Sequence, residues 1–310
     1  MSSLFPKVSA KEGWITASAS AGYILLSWLL IGFKTEQAIL VAVFLALYYV
    51  SVPTRKLITA FSVFIVFWII FDYMKAFPNY SVNPVHTGDL YELDKGLFGT
   101  YTPDGTLLSV NEYWALHHTT FLDIGSGCFY LCWMPVPLAF GVYLFYKKRA
   151  GFLPFALTFL FVNLIGFVIY YIYPAAPPWY IRLYGFQVHL STPGNTAGLQ
   201  RFDDYFHTGI FHALYAKSSN VFAAMPSLHA AYPLVTFYYG VKNRVGWLNL
   251  VLGAVVLGIW FAAVYTGHHY VLDVLAGITC ALVGIFIFQK ILLKTRWFSG
   301  FLAAFQDLVR

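Results

Sequence analysis

Charge is what this sequence has least of. Asp, Glu, Lys and Arg make up 10% of its 310 residues, where soluble domains carry about a quarter. An ordinary water-exposed surface is excluded. Cysteine is scarce too: Cys128, Cys132 and Cys280 lie in apolar segments without metal-ligand spacing, so they read as buried thiols and say nothing of the redox compartment. No internal repeat, low-complexity tract or soluble domain breaks the chain. The first apolar run, near Ala17, leads into a second without a clear cleavage site, so no removable signal peptide is expected.

What is present is apolar and aromatic. Hydrophobic residues form 59% of the chain, with 30 Phe, 23 Tyr and nine Trp, and the mean hydropathy is +0.67. That composition fits an all-α polytopic membrane protein with aromatic belts at both interfaces. A helix needs about 20 residues to cross the hydrocarbon core. Eight stretches qualify: 16–33, 36–52, 57–74, 123–146, 152–173, 226–241, 246–265 and 268–290. The second and sixth are short, so six to eight transmembrane helices are expected within a single membrane domain, 1–310.

The net charge of +6 does not point to nucleic acid, because the bases sit in short clusters beside apolar runs. Thirteen of the 19 Lys and Arg are Lys7, Lys11, Arg55, Lys56, Lys147, Lys148, Arg149, Lys242, Arg244, Lys290, Lys294, Arg296 and Arg310. These clusters alternate with poorly basic loops, so the positive-inside rule places both termini in the cytoplasm. Loops 75–122 and 174–225 then face the periplasm, the exterior or an organelle lumen. In the first, Asn111–Phe121 has the mixed polarity of a short interfacial helix, and Asn79-Tyr-Ser81 matches a glycosylation acceptor.

The same topology puts His229 and His269 on one side, at the outer ends of two spans. His269 and Asp273 are four apart, so on a helix the carboxylate reaches the imidazole. Ionisable groups in a span default to function. A histidine attacks phosphorus when one ring nitrogen is unprotonated and the other is held; a second histidine protonates the leaving oxygen. His269 is the candidate nucleophile, Asp273 its orienter and His229 the acid. All three should converge in one outward-facing cavity. No metal or cofactor is required. Arg182 and Arg201 are the outer-loop cations placed to hold a phosphate, with Ser227, His268 and Tyr270 completing the expected substrate-binding set. Asn195, Asp203 and Asp204 are candidates for sugar hydroxyls.

Pro226-Ser-Leu-His229 and His269 with Asp273 resemble the second and third motifs of the type-2 phosphatidic acid phosphatase superfamily. Leu228 stands where that family has glycine, Ala262-Ala263 stands in place of Ser-Arg, and its first motif, a Lys followed by Arg-Pro, is missing. Those basic residues grip a phosphomonoester dianion. The variant pattern is similar to the inositol phosphorylceramide synthase branch, as are Ala176-Pro-Pro-Trp179 and Val85-His-x-x-Asp89.

The resemblance implies a six-helix core, 57–292, with about two extra N-terminal spans in 1–56. It further implies a lipid phosphotransferase that moves a phosphoinositol-like headgroup from a glycerophospholipid donor to a ceramide-like acceptor through a phosphohistidine. The alternatives are a lipid phosphate phosphatase and a non-enzymatic lipid transporter. Fungal members of the branch have a small membrane subunit; nothing in this chain announces one, or a homo-oligomer.

Overall fold

The computed structural model describes residues 8–217 and 220–309. Lys7 and Arg310, counted among the basic clusters, lie outside the described residues. The chain packs as two compact units, one running to Phe77 and resuming at Leu292, the other spanning Pro78–Ile291.

The first unit holds α1 (Ala10–Ile31), α2 (Thr35–Val50) and α3 (Val52–Tyr73). Ser9 caps α1, its hydroxyl accepting from the Glu12 N–H at 3.2 Å, and Gly32 ends it at φ 75°, a conformation that glycine adopts without strain. Hydroxyl pairs join the helices: Thr16 with Tyr49, and Ser27 with Tyr73 at 2.9 Å. Such pairs are useful where no water competes for the groups.

The second unit begins with α4 (Gly88–Phe98), a small hairpin of β1 (Thr100–Tyr101) and β2 (Leu107–Leu108), and α5 (Val110–Leu116). Next come α6 (Thr120–Leu131) and α7 (Pro135–Lys147), bent by 44° at their junction. Pro135 and Pro137 lack the N–H groups that would carry the helix through. Then follow α8 (Arg149–Ile172), three short helices, α9 (Pro178–Tyr184), α10 (Gln200–Phe206) and α11 (Ile210–Tyr215), and the long α12 (Leu228–Lys242), α13 (Leu248–Tyr265) and α14 (Val271–Lys290). The first unit closes with α15 (Arg296–Val309), which packs on α3.

Each expected span falls on a helix, with α6 and α7 sharing one. Among the described residues, five helices are long and apolar enough to cross a membrane, and the bent α6–α7 pair makes six. The chain is a polytopic membrane protein. The shortfall against eight comes from α2, at 16 residues, and α12, at 15, which extend only about 24 and 22 Å. α12 is interior: α7, α8, α13 and α14 all pack against it. Close approach to α14 is possible because position 277 is glycine; a Cβ there would lie 2.1 Å from the Ser227 carbonyl oxygen.

Two loop readings change. The Asn79 side chain is fully buried and donates to the Tyr170 and Phe222 carbonyls, each at 2.8 Å, so it is no glycan acceptor in the folded chain. Asn111–Phe121 is not one interfacial helix. Its Asn111 is buried and donates to the Val264 and His269 carbonyls at 2.7 and 2.9 Å.

Candidate active site

α12 starts at Leu228 with Ser227 as its cap, which puts His229 in the first turn. His269 lies in the turn between α13 and α14, and Asp273 in the first turn of α14. The expected shared helical face is therefore not what joins them, because the helix begins after His269. Even so, His269 Nδ1 and Asp273 Oδ2 are 3.6 Å apart. His229 Nδ1 stands 3.2 Å from His269 Nε2.

The direct partner of His269 Nδ1 is the Ala224 carbonyl, at 3.0 Å. A carbonyl only accepts, so Nδ1 carries the proton and the Nε2 lone pair faces His229. Asp273 is buried at the start of α14, where Oδ2 accepts from the Tyr270 N–H at 2.8 Å. Its carboxylate is thus an electrostatic neighbour of the imidazole rather than a hydrogen-bonded one. The Ala224 carbonyl is held by the chain's return: Ala175 bridges both His86 and Ala223 in parallel, and Ala224 N–H donates to Ala175 at 3.2 Å.

Around His229, the Tyr130 hydroxyl lies 3.2 Å from Nδ1, and the Trp133 ring presents an edge at 4.9 Å between centroids. This packing closes the space that an open pocket would fill. A cavity of about 240 Å³ lies next door, and none of the His229, His269 or Asp273 side chains lines it. Its wall includes Thr266, Gly267 and Tyr270, which flank His268 and His269 in the same turn.

The other expected residues divide. Arg182, Arg201 and Tyr270 line the cavity. Arg201 Nε bonds to Asp123 Oδ1 at 2.6 Å, and the Tyr265 hydroxyl donates to the same oxygen at 2.7 Å. Ser227 is fully buried; its N–H donates to the Asp273 carbonyl at 2.9 Å, tying α12 to α14. His268 is buried between the rings of Tyr130 and Tyr215, with Nδ1 2.9 Å from the Thr266 hydroxyl. Asp203 takes the N–H groups of Phe211 and His212 at the start of α11, which leaves it occupied. Neither Asp204 nor Asn195 lines the cavity.

Sequence reading missed Tyr130, Ala224 and Asp94. Asp94, fully buried on α4, accepts the Leu272 N–H at 2.9 Å and so caps α14 from outside. Burial pushes its carboxyl up to about 6, with the Leu272 and Val271 N–H groups opposing and the Asp273 carboxyl adding to the rise.

A buried histidine of assigned tautomer facing a half-buried one, beside a buried acid at the head of membrane helices, is an arrangement suited to phosphoryl chemistry. The sequence model of the PAP2 superfamily matches residues 104–287, and the chain belongs to that superfamily. It is 46% identical over 304 residues to a phosphoinositol dihydroceramide synthase of Bacteroides thetaiotaomicron, covering 97% of this chain and 99% of that protein. The inositol phosphorylceramide synthase catalytic subunits of Saccharomyces cerevisiae and Schizosaccharomyces pombe are 30% and 28% identical, covering 76% and 78% of this chain. This chain spans 59% and 56% of those two proteins. No solved structure gives a significant match.

Proposed function

We propose that this protein is a phosphotransferase that moves phosphoinositol from a glycerophospholipid to the primary hydroxyl of a ceramide or dihydroceramide; its relatives' names give the corresponding product for them. The observation that carries the mechanism is the contact of His269 Nδ1 with the Ala224 carbonyl, which assigns the proton to Nδ1 and leaves the Nε2 lone pair, turned toward His229, as the one that attacks. His269 Nε2 bonds to phosphorus, the bond from phosphorus to the diacylglycerol oxygen breaks, and His229 gives that oxygen a proton. The acceptor hydroxyl then gives a proton to His229, its oxygen bonds to phosphorus, and the bond from phosphorus to His269 breaks. Asp273 offsets the positive charge that grows on His269.

Phosphorus must come within about 3–3.5 Å of the attacking nitrogen. His229 already occupies that position at 3.2 Å. Donor entry therefore turns the His229 ring aside, and the turned ring flanks the leaving oxygen. Donor and acceptor both arrive from the bilayer, with the termini cytoplasmic and the histidines on the opposite side, as the basic clusters support.

The experiment is to incubate purified protein with headgroup-labelled phosphatidylinositol and dihydroceramide. Labelled sphingolipid is expected, and its formation should be lost in His269→Ala. Labelled water-soluble inositol phosphate, released at the same rate with or without acceptor, would make the protein a hydrolase instead.

A further inference from the structure

The cavity beside the histidines is bounded by α5 (Ser109, Asn111, Glu112), α9 (Trp179, Arg182) and the 265–270 turn, among others. We propose that it is the subsite for the donor headgroup and that the group it fits is a neutral cyclic polyol on a phosphodiester. This rests on the transferase reading above, and deepens it by naming the residues that would choose the donor.

Size decides first. Pockets for drug-sized ligands run from about 300 to 1,000 Å³. A space of about 240 Å³ suits one hydroxylated ring and excludes the body of a ceramide or a diacylglycerol.

Polar chemistry decides next. Three atoms of the lining residues have no hydrogen-bond partner among the described residues: the Tyr270 hydroxyl, Asn111 Oδ1 and Arg201 Nη2. Tyr270 is fully buried and Asn111 is 7% exposed, so these are groups withdrawn from bulk water. Leaving such a group unsatisfied carries its full desolvation penalty. One is an acceptor, one a donor and one both, the set that ring hydroxyls satisfy because each of them donates and accepts. A bare anion would meet Asn111 Oδ1 and the Glu112 carboxylate unfavourably.

Walls and charge agree with this. Pro178, Trp179, Ile181 and Phe186 give apolar surface for the C–H faces of a ring. Asp123 neutralises Arg201, whereas Arg182 is exposed and has no ion-pair partner among the described residues, leaving one cation for a monoanionic diester. The cavity also abuts the chemistry, since Asn111 on its wall donates to the His269 carbonyl at 2.9 Å.

The test uses Tyr270→Phe, which removes only the partnerless hydroxyl, and Arg182→Gln on the exposed rim. In the full-length protein, either variant is expected to raise the KM for phosphatidylinositol at least tenfold. Tyr270→Phe should also narrow the preference for phosphatidylinositol over phosphatidylglycerol, because a site built for ring hydroxyls disfavours a headgroup that presents fewer of them. Independently of turnover, myo-inositol 1-phosphate titrated into His269→Ala protein should bind more tightly than inorganic phosphate, and more weakly once Arg182→Gln is added. If Tyr270→Phe fails to fold, the Arg182→Gln and titration arms still decide. Normal transfer by the wild type with unchanged KM and donor preference in the variants, or equal binding of phosphate and inositol phosphate, overturns the subsite and leaves the transferase reading standing. No transfer from phosphatidylinositol by the wild type overturns that reading itself.

Discussion

At the scale of single residues, the nearness of His229 and His269 was legible because each opens an apolar run on the same topological side. What held His269 was not legible. The Ala224 carbonyl is a backbone group with no sequence signature, brought in by a chain return through Ala175. Asp273 looked like the hydrogen-bonded orienter because spacing of four is a helical signal, and the helix starts two residues too late for that. Asp273→Asn should therefore keep the fold, since an Asn oxygen still accepts from the Tyr270 N–H. Removing the charge should lower turnover about 10²-fold or more, read as kcat at saturating lipid.

Asp94 yields a pH prediction. Its folded value of about 6 lies above the 3.8 of a free carboxyl, so the folded state holds the proton more tightly than the unfolded one. The stability this lends is complete below about pH 4 and is lost as pH rises through 6, an effect of about 3 kcal/mol. Asp94→Asn keeps an acceptor for Leu272 and carries no charge. Its melting temperature relative to wild type is expected to increase between pH 4 and pH 7, followed by thermal unfolding in detergent.

At the scale of elements, the eight apolar runs announced their helices, and the limits of that reading lie in α2 and α12. Hydropathy reports how apolar a stretch is, while whether lipid or neighbouring helices surround it is decided by packing. Pro135 and Pro137 carried a signal for the α6–α7 break that a hydropathy window averages away. The α12–α14 contact supplies a sharper test. Gly277 lets α14 meet the Ser227 backbone, and a Cβ at 2.1 Å from that carbonyl forces the backbone to move. Gly277→Ala is expected to shift Ser227 and the adjoining His229, with kcat falling more than tenfold while the donor KM changes little. Gly253→Ala, whose Cβ would sit at an ordinary 3.5 Å from Phe237, is the control and should retain activity.

At the scale of the whole molecule, the family and the multi-pass character were legible from composition and two short motifs. Of the cavity wall, Arg182, Arg201 and Tyr270 were legible as candidate phosphate-binding residues, whereas the contributions of α4 and α5 were not, because they come from a polar loop long before the second motif in the chain. Sidedness is the property left to measure. With Cys128, Cys132 and Cys280 replaced by Ser, a single Cys at Phe121, which is 83% exposed, should react with an impermeant maleimide added to intact cells. A Cys at Lys147 should react only after permeabilisation. The reverse pattern would put the histidines on the cytoplasmic side.

The brevity of α12 bears on where the reaction happens. At 15 residues it extends about 22 Å against a hydrocarbon core of about 30 Å. Were Lys242 to lie at one boundary, His229 at the opposite end would stop short of the other by several ångströms. At that depth the acceptor's hydroxyl would arrive with its acyl chains still in the lipid, whereas water would be present at a fraction of its bulk activity. Competition between an alcohol and water for the proposed phosphohistidine would then be biased by depth before any side chain discriminates between them. Free inositol phosphate should stay a minor product whenever acceptor lipid is present.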